Sequence, residues 1–167
     1  KSYTAPDNME KMVEFSPPEL RPYLRDSRIP VEDMHRFLRE HRRGIEKFSV
    51  LYPDYSTRDA AKAAVLARCD VEATASLGAN LELNAPGVTK GRALVALAEA
   101  LGYTAANVMA CGDSDNDLAM IRMAGLGVAM GNAQPEVLAA ADAVVADNDH
   151  DGVAEAIETY ILHNTAL

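Results

Sequence analysis

Asn107-Val108-Met109-Ala110-Cys111-Gly112-Asp113-Ser114-Asp115-Asn116-Asp117-Leu118-Ala119-Met120 decides how the rest of the chain reads. Residues 108–111 form a continuous apolar run, the pattern of a parallel strand buried on both faces. Gly112 ends the run, and Asp113, Asp115 and Asp117 follow at alternate positions. Leu118, Ile121 and Met123 then begin a helical pattern that stops at Gly125, a C-terminal cap residue. A strand, an acidic loop and a helix in that order place the acids at the carboxyl end of a sheet, where open α/β folds bind ligands. Clustered carboxylates repel one another unless a cation or a proton offsets the charge, and hard oxygen ligands of this kind suit Mg²⁺. The same residues would also serve as a solvated acidic turn in which Asp or Ser caps a helix.

Two other loop chemistries fail on the residues themselves. A calcium-binding EF-hand loop starting at Asp113 needs Gly at its sixth position and Glu at its twelfth, and these are Leu118 and Ala124. A P-loop needs Gly-Lys-Ser/Thr after the turn, and none follows.

Working outward, the chain alternates strands and helices. Thr89 can cap a helix whose apolar positions Leu94, Leu97, Ala98 and Leu101 recur at helical spacing, with Gly102 closing it. Lys90 falls in its first turn, where a cation gains nothing from the helix dipole. That placement makes sense if Lys90 faces an anion. Downstream, residues 126–130 read as a second short buried strand, residues 131–133 as a turn, and Pro135 as the start of a helix to about Ala140. Residues 143–146 form a last strand, and Val153, Ile157, Tyr160 and Ile161 mark an amphipathic helix from about Asp151. From residue 89 onward this predicts the α/β class, with a Rossmann-like parallel sheet and helical crossovers.

Upstream, residues 70–77 and 80–83 read as strands of a hairpin turning at Gly78-Ala79. A helix capped by Ser56 or Thr57 and running to about Arg68 precedes them, and a strand over 46–51 precedes that. Strand, helix, strand, strand describes a small α/β unit. Val31, Met34, Phe37 and Leu38 put one apolar face on a helix over 31–43. Its Arg36, Arg39, Arg42 and Arg43 are either a solvated face or a phosphate contact. Residues 1–30 carry five prolines and are expected to be poorly patterned, with a short helix near 18–25.

The net charge of −9 is unevenly placed. Residues 1–90 hold 14 basic and 14 acidic side chains, whereas residues 91–167 hold Arg92 and Arg122 against 11 acids. That distribution argues against a nucleic-acid partner, which needs a basic stripe. Cys69 and Cys111 show no metal or redox spacing. No signal peptide and no apolar span of about 18 residues is visible, so no membrane partner is expected and a cytoplasmic location is the default. Lys1 in place of an initiator methionine is read as a chain trimmed, processed or cut from something longer.

Three segments together resemble a known family. Gly112-Asp113-Ser114-Asp115-Asn116-Asp117-Leu118-Ala119-Met120 is similar to the fourth motif of the haloacid dehalogenase superfamily, in its Cof-like phosphatase branch. Pro86-Gly87-Val88-Thr89-Lys90-Gly91 resembles the third motif. Gly127-Val128-Ala129-Met130-Gly131-Asn132-Ala133 resembles the strand and turn after the fourth motif. The likeness covers roughly residues 80–160. It implies a cap domain, seen in part over residues 1–84, and the C-terminal half of a core over residues 85–167. It further implies Mg²⁺ as cofactor, with Asp113 coordinating the metal and Asp117 ligating it or orienting its water shell. Ser114 and Asn116 would hydrogen-bond near a phosphate whose charge Lys90 neutralises. A small phosphorylated metabolite, such as a sugar phosphate, is the expected substrate.

The family's attacking aspartate stands in an Asp-x-Asp-Gly-Thr motif, and no such motif occurs here. The nearest look-alike, Asp149-His150-Asp151-Gly152-Val153, lies beyond its strand and has Val in place of Thr. The expectation is therefore a phosphatase acting through an aspartyl-phosphate whose nucleophile lies in a missing N-terminal segment, with that segment or a second copy of the chain as partner. The alternative is a non-catalytic binding domain derived from the same fold. A third possibility arises because Asp147 to Glu158 matches the EF-hand loop pattern. The strand expected before it and the helix expected from Val153 argue against calcium there.

Overall fold

The computed structural model describes residues 1–16, 18–75 and 79–162. Its strands form three small sheets, and the one built from the C-terminal half positions the acidic loop.

That sheet contains β6 (Met109–Gly112), β7 (Leu126–Ala129) and β8 (Ala143–Val144), all parallel, in the order β6-β7-β8. Helices α6 (Leu118–Met123) and α7 (Pro135–Ala140) make the crossovers, and α8 (Gly152–Ile157) follows β8. Successive residues of a strand point to opposite faces, and β7 shows the result. Val128 packs with Met130, Val145 and Ala156 of α8, whereas Ala129 packs with Ile121 of α6 and Val137 of α7. Both residues have no solvent exposure. The apolar run in the sequence is thus a strand sandwiched between helical layers, as a parallel sheet requires.

Helix α5 (Lys90–Ala100) lies against α6. Thr89 Oγ1 caps it by accepting a hydrogen bond from the Arg92 amide at 3.2 Å. The contact is tight at Gly91, where a Cβ would stand 2.6 Å from the Ala119 backbone. Gly102 ends the helix region with φ +83°, a conformation that glycine adopts without strain.

The preceding unit is antiparallel. It contains β3 (Lys47–Leu51), β4 (Glu72–Thr74) and β5 (Asn80–Asn84), with β5 in the middle. Helix α4 (Tyr55–Leu66) connects β3 to β4 and is capped not by Ser56 or Thr57 but by Asp54, whose carboxylate accepts from the Thr57 amide. The expected order of strand, helix, strand, strand holds, and β4 and β5 pair antiparallel as a hairpin should. Of its expected turn, Gly78 lies outside the described residues and Ala79 accepts a hydrogen bond from the Tyr52 amide.

The first 30 residues correct an expectation. They hold β1 (Ser2–Thr4), α1 (Pro6–Phe15), α2 (Arg21–Ser27) and β2 (Arg28–Pro30), with β1 and β2 paired in parallel. Proline breaks a helix from inside, but Pro6 and Pro22 occupy first-turn positions, where the missing N–H has no helical partner to lose. Helix α3 (Met34–Glu40) is shorter than the 31–43 pattern and is capped by Asp33.

Candidate active site

Residues 113–117 leave the carboxyl end of β6 as a single turn of 3₁₀ helix, Asp115–Asp117, that runs directly into α6. The turn closes on itself through Asp117. Its Oδ2 accepts from the backbone amides of Asp113 and Ser114, each at 3.1 Å. Glycine at 112 permits this folding back, because a Cβ there would stand 2.5 Å from that of Asp117.

The other oxygen of Asp117 receives Lys90 Nζ at 2.5 Å. Gly91 lets α5 approach α6 closely, and that approach carries the lysine at its first turn to the acidic loop. Within the chain, Lys90 thus faces a carboxylate. Asp117 is 5% exposed, whereas half of the Lys90 side chain remains open to solvent. Burial pushes the Asp117 carboxyl pKa up. Lys90 and the two backbone amides together outweigh that and hold it below the usual carboxylate range.

Asp113 is half-buried and less committed. Its Oδ1 accepts from Ser114 Oγ at 3.1 Å, and its Oδ2 accepts from Asn132 Nδ2 at 3.2 Å. A carboxylate oxygen can accept two hydrogen bonds or ligands, so both oxygens retain capacity to face a cation. Its backbone carbonyl accepts from the Gln134 amide at 2.9 Å, which ties the acidic loop to the start of α7. Asn116 lies half-buried in the 3₁₀ turn. The structure thus brings Lys90, Asp113, Ser114, Asn116 and Asp117 to one end of β6.

Asn132 belongs to this group but was not among the residues singled out for chemistry. It stands in the turn after β7, and the parallel register of Gly112 with Ala129 returns that turn beside Asp113. Only the strand pairing reveals this, since 19 residues separate the two in sequence.

A cleft of about 400 Å³ opens beside the loop, between the antiparallel unit and the parallel sheet. Tyr55, Arg58 and Lys62 of α4 line one side, Leu81 contributes an apolar floor, and Asp115 and Gln134 lie opposite. Lys62 Nζ reaches Asp115 Oδ2 at 3.3 Å across it. Arg58 is held over the Tyr55 ring, 5.1 Å from its centroid.

The Asp147–Glu158 stretch uses its carboxylates differently from a calcium loop. Asp147 Oδ1 accepts from the Asp149 amide at 3.0 Å and pairs with His150 Nδ1 at 2.6 Å. The His150 contact holds the Asp147 carboxyl below its usual range. Helix α8 begins at Gly152, so the second half of the pattern is already helical. Among the described residues, no three or more His, Cys, Asp or Glu side chains converge as a complete protein-built metal cage. Mg²⁺ does not require one: it takes one or two carboxylates and fills its remaining positions with water and phosphate oxygens. Asp113 fits that modest demand.

A profile described as haloacid dehalogenase-like hydrolase matches residues 15–157. The 5-amino-6-(5-phospho-D-ribitylamino)uracil phosphatase YcsE of Bacillus subtilis is 53% identical over 93 residues, 56% of this chain and 37% of that protein. A haloacid dehalogenase-like hydrolase structure from B. subtilis superposes with a TM-score of 0.74 at 22% identity, covering 95% of this chain and 62% of the other; it attests the fold alone. The sugar phosphatase BT4131, of subclass IIB of the same superfamily, matches at 26% identity and a TM-score of 0.64, over 78% of this chain and 46% of that one. The chain thus spans between about a third and three-fifths of these proteins. Among the described residues, no helix is long and apolar enough to cross a membrane.

Proposed function

The chain belongs to the haloacid dehalogenase-like hydrolase family, and from that premise we propose that it supplies the metal- and phosphate-facing half of a Mg²⁺-dependent phosphatase site. The observation that carries this reading is the Lys90–Asp117–Asp113 arrangement at the carboxyl end of β6. One buried carboxylate holds a half-exposed lysine, while its neighbour keeps coordination capacity.

In this reading Asp113 would hold the cation. Asp117 Oδ2 accepts two backbone amides and so shapes the loop, while Oδ1 aims Lys90. Oδ1, with Lys90 on one lone pair, keeps the other, so Asp117 would ligate the metal or orient its water shell. Bound at Asp113, Mg²⁺ would polarise a phosphoryl oxygen and offset charge there. Lys90 has three N–H donors and commits one to Asp117, leaving the others for phosphate oxygens. Ser114 and Asn116 supply polar groups beside them. The cleft under Tyr55, Arg58 and Lys62 would take the remainder of a small phosphate ester, which YcsE and BT4131 support by likeness. Residues 1–84 then act as part of a cap and residues 85–167 as part of the core. The free thiols of Cys69 and Cys111 suit a reducing cytoplasm.

The 167 residues contain no Asp-x-Asp-Gly-Thr motif. In the proposed reading the attacking carboxylate would lie on a segment outside them and act through an aspartyl-phosphate. The same observation favours the rival reading, a domain of this fold that binds without turnover. Hydrolysis of p-nitrophenyl phosphate by the gene-encoded polypeptide, with and without Mg²⁺, separates the two. Metal-dependent turnover that falls about 100-fold or more in Asp113→Asn supports the phosphatase. Absence of turnover, with Asp113-dependent Mg²⁺ binding intact, supports the binding domain.

A further inference from the structure

We infer that Asn132 is a positioning residue for Asp113, and that it couples the Asp113 carboxylate to the loop between β8 and α8. The inference rests on the phosphatase reading, in which Asp113 faces the cation. Asn132 uses both ends of its amide. Nδ2 donates to Asp113 Oδ2 at 3.2 Å, and Oδ1 accepts from the backbone amide of Asn148 at 3.1 Å. Reversing the amide would set Nδ2 against an N–H donor and Oδ1 against a carboxylate, so the two partners define its orientation.

The coupling has a structure on each side. Toward the site, Ser114 Oγ and Asn132 Nδ2 grip opposite oxygens of Asp113, which fixes the carboxylate plane before any ligand arrives. Toward the loop, the Asn148 amide is presented by a turn that Asp147 holds through the Asp149 amide. The Gly131 amide donates to the Ala146 carbonyl at 3.2 Å, and the turn after β7 thereby docks on the same loop. A displacement of the loop therefore reaches the Asp113 carboxylate through the Asn132 side chain, alongside the backbone contact of Gly131 with Ala146. Groups that orient a metal-binding carboxylate typically affect metal affinity about 10- to 100-fold when removed. Asn132 is exposed, so its removal leaves the packed core untouched.

The test is titration of the full chain with Mg²⁺ alone, followed by ¹⁵N NMR of the backbone amides, in wild type, Asn132→Ala, Asn132→Ser and Asp113→Asn. The expected result is that Asp113→Asn removes Mg²⁺ binding, and that both Asn132 variants weaken it about tenfold or more. The Asn148 amide should shift with Mg²⁺ in wild type and stop responding in both variants. Unchanged Mg²⁺ affinity in the Asn132 variants, or an Asn148 response that survives them, overturns the positioning role while leaving the phosphatase reading intact. Unchanged affinity in Asp113→Asn overturns both. Turnover of p-nitrophenyl phosphate in wild type, measured in parallel, reports on the phosphatase reading separately.

Discussion

Removing the ammonium of Lys90 would leave the buried Asp117 carboxylate with only the amides of Asp113 and Ser114. Lys90→Met should destabilise the fold by about 1–2 kcal/mol, the range for a charge-assisted bond discounted for the half-exposed lysine. Urea denaturation at neutral pH measures it. The pH dependence follows from the direction of the Asp117 shift. Its folded pKa is lowered, so the unfolded chain binds the proton more readily. The stability it contributes is fully present above the unfolded carboxylate value of about 3.9 and is lost as pH falls from there through the folded value. Wild type should therefore lose stability more steeply than Lys90→Met below about pH 4. Superimposable acid limbs would show that Lys90 does not hold this carboxyl down. Alternating acids after a glycine mark Asp113 and Asp117 in the sequence, and the fold gathers both at the carboxyl end of β6. The pairing of Lys90 with Asp117 was not legible, because the anion expected at that helix start could equally have been a ligand.

At the scale of elements, the approach of α5 to α6 hinges on Gly91. A Cβ would fall 2.6 Å from backbone atoms of Ala119, which have no side-chain freedom with which to move aside. Gly91→Ala should cost about 1–3 kcal/mol through overpacking, despite the better helix propensity of alanine. It should also lengthen the Lys90–Asp117 contact. Thermal melts with a crystal structure of the variant would check both, and a stabilised variant would refute the steric account. Strand and helix order from residue 89 onward was legible because buried parallel strands are continuous apolar runs and their crossovers carry helical spacing. Residues 1–30 were not: proline breaks a helix from inside and begins one at its first turn, and composition does not say which. Asn132 escaped for another reason, since its contact depends on strand register, which the local sequence does not encode.

At the scale of the whole molecule, an ion pair between described residues spans the cleft. Lys62 and Asp115 join α4 to the acidic loop at 3.3 Å, with about a third of each side chain exposed. Such a pair contributes little to stability, and Lys62→Ala should change it by less than about 1 kcal/mol, with the difference vanishing in high salt. A larger loss in chemical denaturation would mean that the pair anchors the two units together.

The double burial of β7 has a consequence for the order in which the fold opens. Its backbone is paired on both sides, with β6 through four residues and with β8 through two, and helices cover both faces. Solvent deuterium can reach its amides only when the sheet itself comes apart, so these should be the slowest to exchange and should report the global unfolding free energy. The β1–β2 ribbon, with three paired positions and exposed residues, should exchange through local fraying orders of magnitude sooner. Amide exchange followed by mass spectrometry would then read the molecule as nested shells, with the strand beside the acidic loop innermost and the chemistry resting on the part of the fold that yields last.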